Sequence, residues 1–365
     1  MRIAVFGCGQ LSRMMALPGV EMGHEFSFLA DDTEDTRCVA GLGEVVRRGD
    51  HDVQALYRML GSPEVITVEK EQVDVVLLAQ FESLCKVYPS PGAVAACRDR
   101  SLERALLDRL GIPCAKYILG GGIEAAAGQL GLPLVAKSLS EGYDGKNQWR
   151  IQSPEDIQRF QALVLAGEIA EDALIYEQWV AFRRELSQVS VRTVDGHIKH
   201  YPLVENHHHN GILERTIAPA AEVSAELEST ARGYIESIME EYDYVGVLAM
   251  ELFDVEGGLL VNELAPRVHN SGHWTQSGSA TSQFENHVLA ITGAAAADTR
   301  PRCVTVMINL VGIEKPLPED IAPSAELHWY DKVVRPGRKL GHINYTGATL
   351  DELVDQLPPR SQHFN

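Results

Sequence analysis

The residues best placed to do chemistry lie in Val247-Leu248-Ala249-Met250-Glu251-Leu252-Phe253-Asp254-Val255-Glu256-Gly257-Gly258-Leu259-Leu260-Val261-Asn262-Glu263, which reads as two apolar strands joined by a Glu-Gly-Gly turn. With Gly257 at the centre of that turn, Glu251 and Glu263 face each other across a hairpin. Two carboxylates about 5 Å apart repel by roughly 3 kcal/mol at an effective dielectric of about 20, more than the roughly 0.2–1 kcal/mol of an ordinary cross-strand pair. A hard divalent cation with oxygen ligands offsets the repulsion, and Mg²⁺ held by carboxylates and substrate phosphates suits the pairing. The alternatives are a register displaced by one residue, a protonated carboxylate, or a pairing with Arg267.

Directly after this hairpin comes Leu264-Ala265-Pro266-Arg267-Val268-His269-Asn270-Ser271-Gly272-His273-Trp274, dense in polar and cationic groups. Arg267 and His273 are candidates to stabilise an anionic intermediate or shuttle a proton, although a lone loop histidine is more often a structural hydrogen-bonder. Farther on, Lys332-Val333-Val334-Arg335-Pro336-Gly337-Arg338-Lys339 concentrates four cations around a Pro-Gly turn. Arg335, Arg338 and Lys339 can converge there on one phosphate, or form a solvated basic loop.

Two glycine-containing loops extend the inventory. Ser138-Leu139-Ser140-Glu141-Gly142-Tyr143-Asp144-Gly145-Lys146-Asn147-Gln148 follows a strand ending at Lys137, and its glycines and lysines suit either a polyphosphate clamp or a solvated hairpin. It is not a Walker loop, because Asn follows Gly-Lys. Gly7-Cys8-Gly9-Gln10-Leu11-Ser12 has two glycines of a dinucleotide fingerprint and Ser12 where the third belongs, so it reads as a tight turn or as a helix N-terminus facing a ligand. The run His207-His208-His209 does not suit zinc, since consecutive side chains diverge on helix or strand.

These residues need a scaffold of several units. The first thirty residues give a βαβ start, with Arg2 to Phe6 and His24 to Leu29 as strands, followed by a strand at Glu64 to Val68 and a proline-marked loop at Tyr88-Pro89-Ser90-Pro91. A helix is expected from Arg98 to Leu110, strands at Leu134 to Lys137 and Leu174 to Glu177, and a boundary in the Ala- and Pro-containing run Gly293 to Arg302. A chain of 365 residues with 45% hydrophobic content is long enough for two or three such units. Its net charge of -19, from 32 basic and 51 acidic residues, opposes sequence-independent attraction to nucleic acid or anionic lipid. Anionic substrates must then find local islands of positive charge. Six scattered cysteines without metal-ligand spacing read as reduced thiols. The early glycine turn interrupts any signal-peptide core and no apolar run reaches membrane-span length, so a cytoplasmic protein without membrane partners is expected.

Together, Gly9-Gln10-Leu11, Thr67-Val68-Glu69-Lys70-Glu71, Gly142-Tyr143-Asp144-Gly145-Lys146, Glu205-Asn206, Gly211-Ile212-Leu213, Asn262 to Arg267, His269 to Thr275, and His328-Trp329-Tyr330 through Lys339 resemble the ATP-grasp ligases. Within them, the resemblance is to the family that carboxylates 5-aminoimidazole ribonucleotide with ATP and bicarbonate in purine biosynthesis. It implies an ATP-grasp fold of mixed α/β and α+β class, with a doubly wound N-terminal α/β domain at 1–96, an ATP-grasp domain at 97–292 with a lid at about 112–178, and a small C-terminal domain at 293–365. ATP contacts are implied for Arg100, Lys137, Gly142, Tyr143, Asp144, Gly145, Lys146, Asn147, Gln148, Glu177, Gln178, Trp179, Val180, Glu185, His208, Asn262 and Glu263, with Mg²⁺ on Glu251 and Glu263. The aminoimidazole nucleotide is expected at Gln10, Leu11, Glu69, Asn270, Ser271, Lys332, Arg335, Arg338 and Lys339. Tyr143, Asp144, Lys146, Arg267, His273 and Lys339 carry over as catalytic positions, and a homodimer is implied. Ser12, Lys70, Glu141 and Asn147 depart from the family pattern and bear on kinetics more than on reaction class. A formate-using ATP-grasp transformylase, a non-catalytic nucleotide-binding module and a dinucleotide-dependent oxidoreductase are the rival readings.

Overall fold

The computed structural model describes residues 1–140 and 147–357. The chain opens with short apolar runs that pair as an all-parallel sheet: β1 (Arg2–Phe6), β2 (Glu25–Ala30), β3 (Glu44–Arg47), β4 (Val65–Val68) and β5 (Lys86–Val87), ordered β3-β2-β1-β4-β5. Alternate residues of β1 feed opposite cores, Ile3 and Val5 into one and Ala4 and Phe6 into the other. That burial on both faces is why the strand reads as an unbroken apolar run. Helices α1 (Gln10–Glu21), α2 (Val53–Met59) and α3 (Val75–Phe81) make the crossovers, the last two capped by Asp52 and Asp74. Strand order reverses between β1 and β4, so the segments following them, with Gln10 and Glu69, border the crevice where doubly wound sheets bind ligands.

The proline-marked loop is shorter than expected. Ser90 caps α4 (Pro91–Arg98), which Pro91 begins from the first-turn position its fixed φ favours. Asp99 then leaves the helical conformation and accepts hydrogen bonds from Ser101 N and Leu102 N, starting α5 (Arg100–Leu110). Where the sequence suggests one helix from Arg98, the cap makes a break that sets Arg100 at the start of α5.

A four-stranded antiparallel sheet follows, built from β6 (Tyr117–Leu119), β7 (Leu134–Ser138), β8 (Gln148–Ile151) and β9 (Leu174–Gln178) in the order β6-β9-β7-β8. Helices α6 (Gly122–Leu130) and α7 (Pro154–Leu165) cover it through Ile123, Ala126 and Phe160. The remaining strands are β10 (Arg184–Arg192), β11 (Ile198–His200), β12 (Val204–His209), β13 (Ile212–Ala218), β14 (Gly246–Val255), β15 (Gly258–Ala265), β16 (Val304–Val311), β17 (Ala325–Trp329) and β18 (Lys339–Gly347). They form one antiparallel sheet ordered β15-β14-β10-β12-β13-β16-β18-β17, with β11 added on β10. The C-terminal strands therefore extend the central sheet through the β13–β16 pairing instead of making a sheet of their own. Helices α8 (Ala225–Glu241), α9 (Thr275–Gly278), α10 (Gln283–Ile291) and α11 (Leu350–Val354) complete the order. Among the described residues no helix is long and apolar enough to cross a membrane.

Candidate active site

The β14–β15 hairpin turns at Glu256-Gly257, with Val255 paired to Gly258 and Leu252 to Val261. Continued without interruption, that register sets Glu251 opposite Asn262. A bulge between Glu251 and Leu252 adds one residue on β15, and Glu263 comes to face Glu251 instead. Partners directly across a ladder share a face of the sheet, so the two carboxylates project together. The expected pairing is present, produced by a two-residue turn plus a bulge and not by a turn centred on Gly257. Asn262, the extra residue, hydrogen-bonds Glu251.

Both carboxyls are held above their ordinary range. For Glu251 the cause is burial, reinforced by Glu185 and opposed by His208; for Glu263 it is burial, opposed by Arg100 and reinforced by Glu251 and Glu71. Arg267 is hydrogen-bonded elsewhere, its Nε and Nη2 donating to Glu71 at 2.5 and 3.3 Å, although its charge also bears on Glu263. Among the described residues no three His, Cys, Asp or Glu side chains are arranged to hold a metal ion by themselves. Two raised, adjacent carboxylates suit a cation that takes its remaining oxygen ligands from phosphates.

Cations from two elements border this pair. Arg100 donates through Nη2 to Glu263 at 3.3 Å and through Nη1 to Ser138 O at 3.0 Å, while its backbone N–H donates to Leu139 O at 2.9 Å. It thereby ties α5 to the entrance of the glycine loop. Lys137 on β7 donates to Glu177 on β9 at 2.5 Å, and Arg104 donates to the same carboxylate through Nε and Nη2 at 2.9 and 2.7 Å. Burial alone would raise the Glu177 carboxyl, but Lys137 and Arg104 hold it down to about 2. Arg104 also donates to Asn262 O at 2.8 Å, fastening the bulge to α5. Beside it, burial pushes the Glu103 carboxyl up to about 7 while that group accepts from Leu264 N at 2.8 Å. Neither Glu103 nor Arg104 stands out in sequence, because a Glu-Arg step on an amphipathic helix normally reads as solvated surface.

On the other flank, His208 Nδ1 lies 2.8 Å from Glu185. Against the burial that would lower it, Glu185 and Glu251 raise the His208 imidazole above its usual value. His269 brings Nε2 to 3.6 Å from Glu251 and Nδ1 to 2.9 Å from Ser271 Oγ. His273 is packed away, 1% exposed, accepting from Gln283 Nε2 at 3.2 Å and lying against the His342 ring at 4.8 Å. The sequence singled out His273, yet His269 is the imidazole beside the carboxylate pair. The i, i+2 alternation of a strand running on from Glu263 through Arg267 is the signal that could have found it. Lys339, at the start of β18, exerts its charge on Glu251, His208, His269 and His273 alike.

Gly142, Tyr143, Asp144, Gly145 and Lys146 lie outside the described residues. Of their loop, Asn147 adopts a left-handed φ of 52° and its carbonyl accepts from Ser138 N at 3.0 Å, while Gln148 pairs with Lys137 in the β7–β8 ladder. Gln178, Trp179 and Val180 leave β9 toward β10; Gln178 N donates to Lys116 O at 2.8 Å, and the Trp179 ring carries the Arg150 guanidinium 3.7 Å from its centroid.

The N-terminal glycine turn faces a carboxylate from within the chain. Gly9 N and Ser12 N donate to Glu69 at 2.5 and 2.9 Å, so Glu69 occupies the start of α1. A Cβ on Gly9 would come within 2.6 Å of Glu69 Oε1, and Gly7 has φ 115°, so both glycines serve this approach. Ser12 fits because its hydroxyl donates to Gly7 O at 2.8 Å. Leu11 is buried behind the turn. Gln10 accepts a hydrogen bond from Lys332, Arg338 donates to Asp35 at 3.3 Å, and Asn270 exchanges amide hydrogen bonds with Asn309 at 3.0 and 2.8 Å. Ser271 is fully buried. Arg335 is exposed, and the charges of Arg338 and Lys339 both bear on Lys332.

Comparison with known proteins adds the family. Residues 1–98 match the ribonucleotide synthetase preATP-grasp domain, 105–284 the ATP-grasp domain, and 305–356 the phosphoribosylaminoimidazole carboxylase C-terminal domain. The chain is 40% identical to N5-carboxyaminoimidazole ribonucleotide synthase of Vibrio cholerae over 98% of its length and 94% of that protein's. The structure of the Thermus thermophilus synthetase of that name superposes with a TM-score of 0.90 at 38% identity, covering 100% of this chain and 98% of the other. An Aspergillus clavatus synthase solved with ADP and 5-aminoimidazole ribonucleotide superposes with a TM-score of 0.86 at 28% identity, covering 98% and 96%. With matches of this identity over nearly its whole length and the same fold, the chain belongs to the N5-carboxyaminoimidazole ribonucleotide synthase family of ATP-grasp ligases.

Proposed function

We propose that the chain carboxylates 5-aminoimidazole ribonucleotide on its exocyclic amine, with ATP and bicarbonate as co-substrates. The observation that carries this reading is the Glu251–Glu263 pair, set between Arg100 on one side and His208, His269 and Lys339 on the other. Bicarbonate oxygen attacks the γ-phosphorus, ADP leaves and carboxyphosphate forms; the amine then bonds to the carboxyl carbon, or to CO₂ released from it, as phosphate departs and the nitrogen gives up a proton. Mg²⁺, held by Glu251 and Glu263, would neutralise charge on the phosphates when bound.

The chain's own side chains do the rest. Lys137 and Arg100 face the nucleotide phosphates, each anchored by a carboxylate that fixes its direction. Glu185 orients His208, and the segment Gln178 to Val180 borders the nucleoside. Arg267, locked onto Glu71, and Lys339 offer fixed positive charge to the carboxyphosphate, where preorganised charge counts most. His269 is placed to exchange a proton with bound substrate, and His273 supports it from behind through Gln283, which donates to His269 O and to His273. Gln10, Glu69, Asn270 and Ser271 border the aminoimidazole ribonucleotide, with Lys332 and Arg338 on its 5′-phosphate. Tyr143, Asp144 and Lys146 are assigned the role of protecting the short-lived intermediate from water. A homodimeric, cytoplasmic enzyme completes the reading, the former checked by sedimentation.

Phosphate release from Mg²⁺·ATP should rise only when bicarbonate and the aminoimidazole nucleotide are both present. Stimulation by formate and glycinamide ribonucleotide in their place, or none with the proposed pair, would defeat it.

A further inference from the structure

Three cations from two parts of the chain meet beside Cys38. Arg13 lies one helical turn after Gln10 on α1, on the same face, and donates through Nη1 to Cys38 O at 3.0 Å. Its Nη2 sits 3.4 Å from Asp331 of the basic turn. Lys332, the next residue, reaches the Gln10 amide, a neutral acceptor, and Arg338 reaches Asp35. Lys332, Arg338 and Asp35 all act electrostatically on the Cys38 thiol, which puts the groups within reach of one another.

The two carboxylates in this cluster are replaceable. Asp331 keeps 54% of its side chain exposed and has a left-handed φ of 56°, so it can release Arg13 into solvent contact without leaving a buried charge. Asp35 is already held by Arg37 at 3.0 and 2.9 Å, so it does not need Arg338. A phosphate brings nearly two charges and three acceptor oxygens, and a guanidinium prefers that forked geometry to one exposed carboxylate oxygen.

Resting on the function proposed above, we propose that Arg13 is a further binding residue for the 5′-phosphate of the nucleotide substrate, and that Asp331 and Asp35 are stand-in anions which that phosphate displaces from Arg13 and Arg338. The exchange makes the phosphate, rather than the base, the group that reorganises the contact between α1 and the basic turn.

The test compares KM and kcat for the aminoimidazole ribonucleotide and for the nucleoside lacking its phosphate, at saturating Mg²⁺·ATP and bicarbonate. Arg13→Ala should raise KM for the nucleotide about tenfold or more, with kcat little changed and nucleoside turnover unaffected, the loss of one charge-assisted hydrogen-bonding group. Arg13→Lys should recover part of the affinity. Asp331→Asn, which tolerates the left-handed backbone, should lower the nucleotide KM severalfold. Equal losses on nucleotide and nucleoside, or an Asp331→Asn variant with raised KM, would overturn the proposal; should Arg13→Ala fail to fold, Asp331→Asn decides alone. A wild-type chain inactive on the nucleotide would defeat the functional reading itself and is told apart by that control.

Discussion

Replacing Glu251 by glutamine should make the ligand-free protein more stable and the nucleotide-bound protein less so. Two carboxylates directly opposed across β14 and β15, about 5 Å apart, repel by roughly 3 kcal/mol at an effective dielectric of about 20. That figure must be cut, because Glu263 keeps 40% of its side chain in solvent and Arg100 lies 3.3 Å from it. His208 offsets part of the Glu251 charge as well. A residual of about 1 kcal/mol is left, worth roughly 2–4 °C in melting temperature for a unit of this size. The sign with pH follows from the raised carboxyls: folding is penalised once pH rises through the folded value, so the variant's advantage should be present at neutral pH and fade on acidification through the normal glutamate range. Mg²⁺·ATP at about one hundred times its dissociation constant stabilises wild type by roughly 2.7 kcal/mol, and the variant should lose most of that increment. Thermal unfolding with and without MgCl₂ and ATP reads both effects. A Glu251→Gln protein that melts lower without ligand, and keeps its full Mg²⁺-dependent shift, would show that the pair is not a cation site.

Glu177→Gln should cost about 3 kcal/mol at neutral pH, because Lys137 and Arg104 hold the carboxyl down to about 2, and the gap to wild type should close as pH falls from about 4.5 toward 2 in acid-unfolding curves. His269→Ala should lower kcat at least about tenfold in steady-state assays; His273→Ala, which empties a buried site, should lose about 2 kcal/mol of stability in urea titrations. Asn309→Ala removes the amide that fixes Asn270 and should raise KM for the nucleotide about threefold or more, leaving that for ATP unchanged in steady-state kinetics.

Much of the architecture is legible because it is local. Alternating or continuous apolar runs bounded by glycine and aspartate give β1, β2, β4, β7, β9 and the β14–β15 hairpin to within one residue at most ends. What escapes is decided by side chains that meet from distant positions. The break at Asp99 depends on a carboxylate accepting two N–H groups, a cap the helical periodicity overrides. The bulge at Asn262 is invisible to pairing arithmetic, yet it and the two-residue turn cancel, so counting from Gly257 still brings Glu251 opposite Glu263. The glycines of Gly7-Cys8-Gly9 look like a ligand's landing place; that the ligand is Glu69, sixty residues on, needs the parallel β1–β4 pairing. His273 drew notice through its motif, whereas His269 gains its place only from the direction the chain takes after β15.

The sheet itself explains how phosphate chemistry and nucleotide recognition keep a fixed separation. Glu263 on β15, Glu251 on β14, Glu185 on β10 and His208 on β12 sit on successive strands, and the same hydrogen-bonded order runs on through β13 and β16 to β18, which begins at Lys339 immediately after the basic turn. One end of the reaction is thus bonded, strand by strand, to the residues proposed to hold the substrate phosphate. Lys137 and Glu177 belong to a different sheet, joined to this one through the segment after Gln178, and it is fastened by side-chain bonds such as Arg104 to Glu177 and by the backbone bond from Val261 N to Pro113 O. Cooperative strand pairing resists sliding, whereas a few polar bonds can be exchanged for bonds to ATP. On the function proposed above, the four-stranded sheet is the part expected to respond to nucleotide, with the carboxylate pair as its fixed reference.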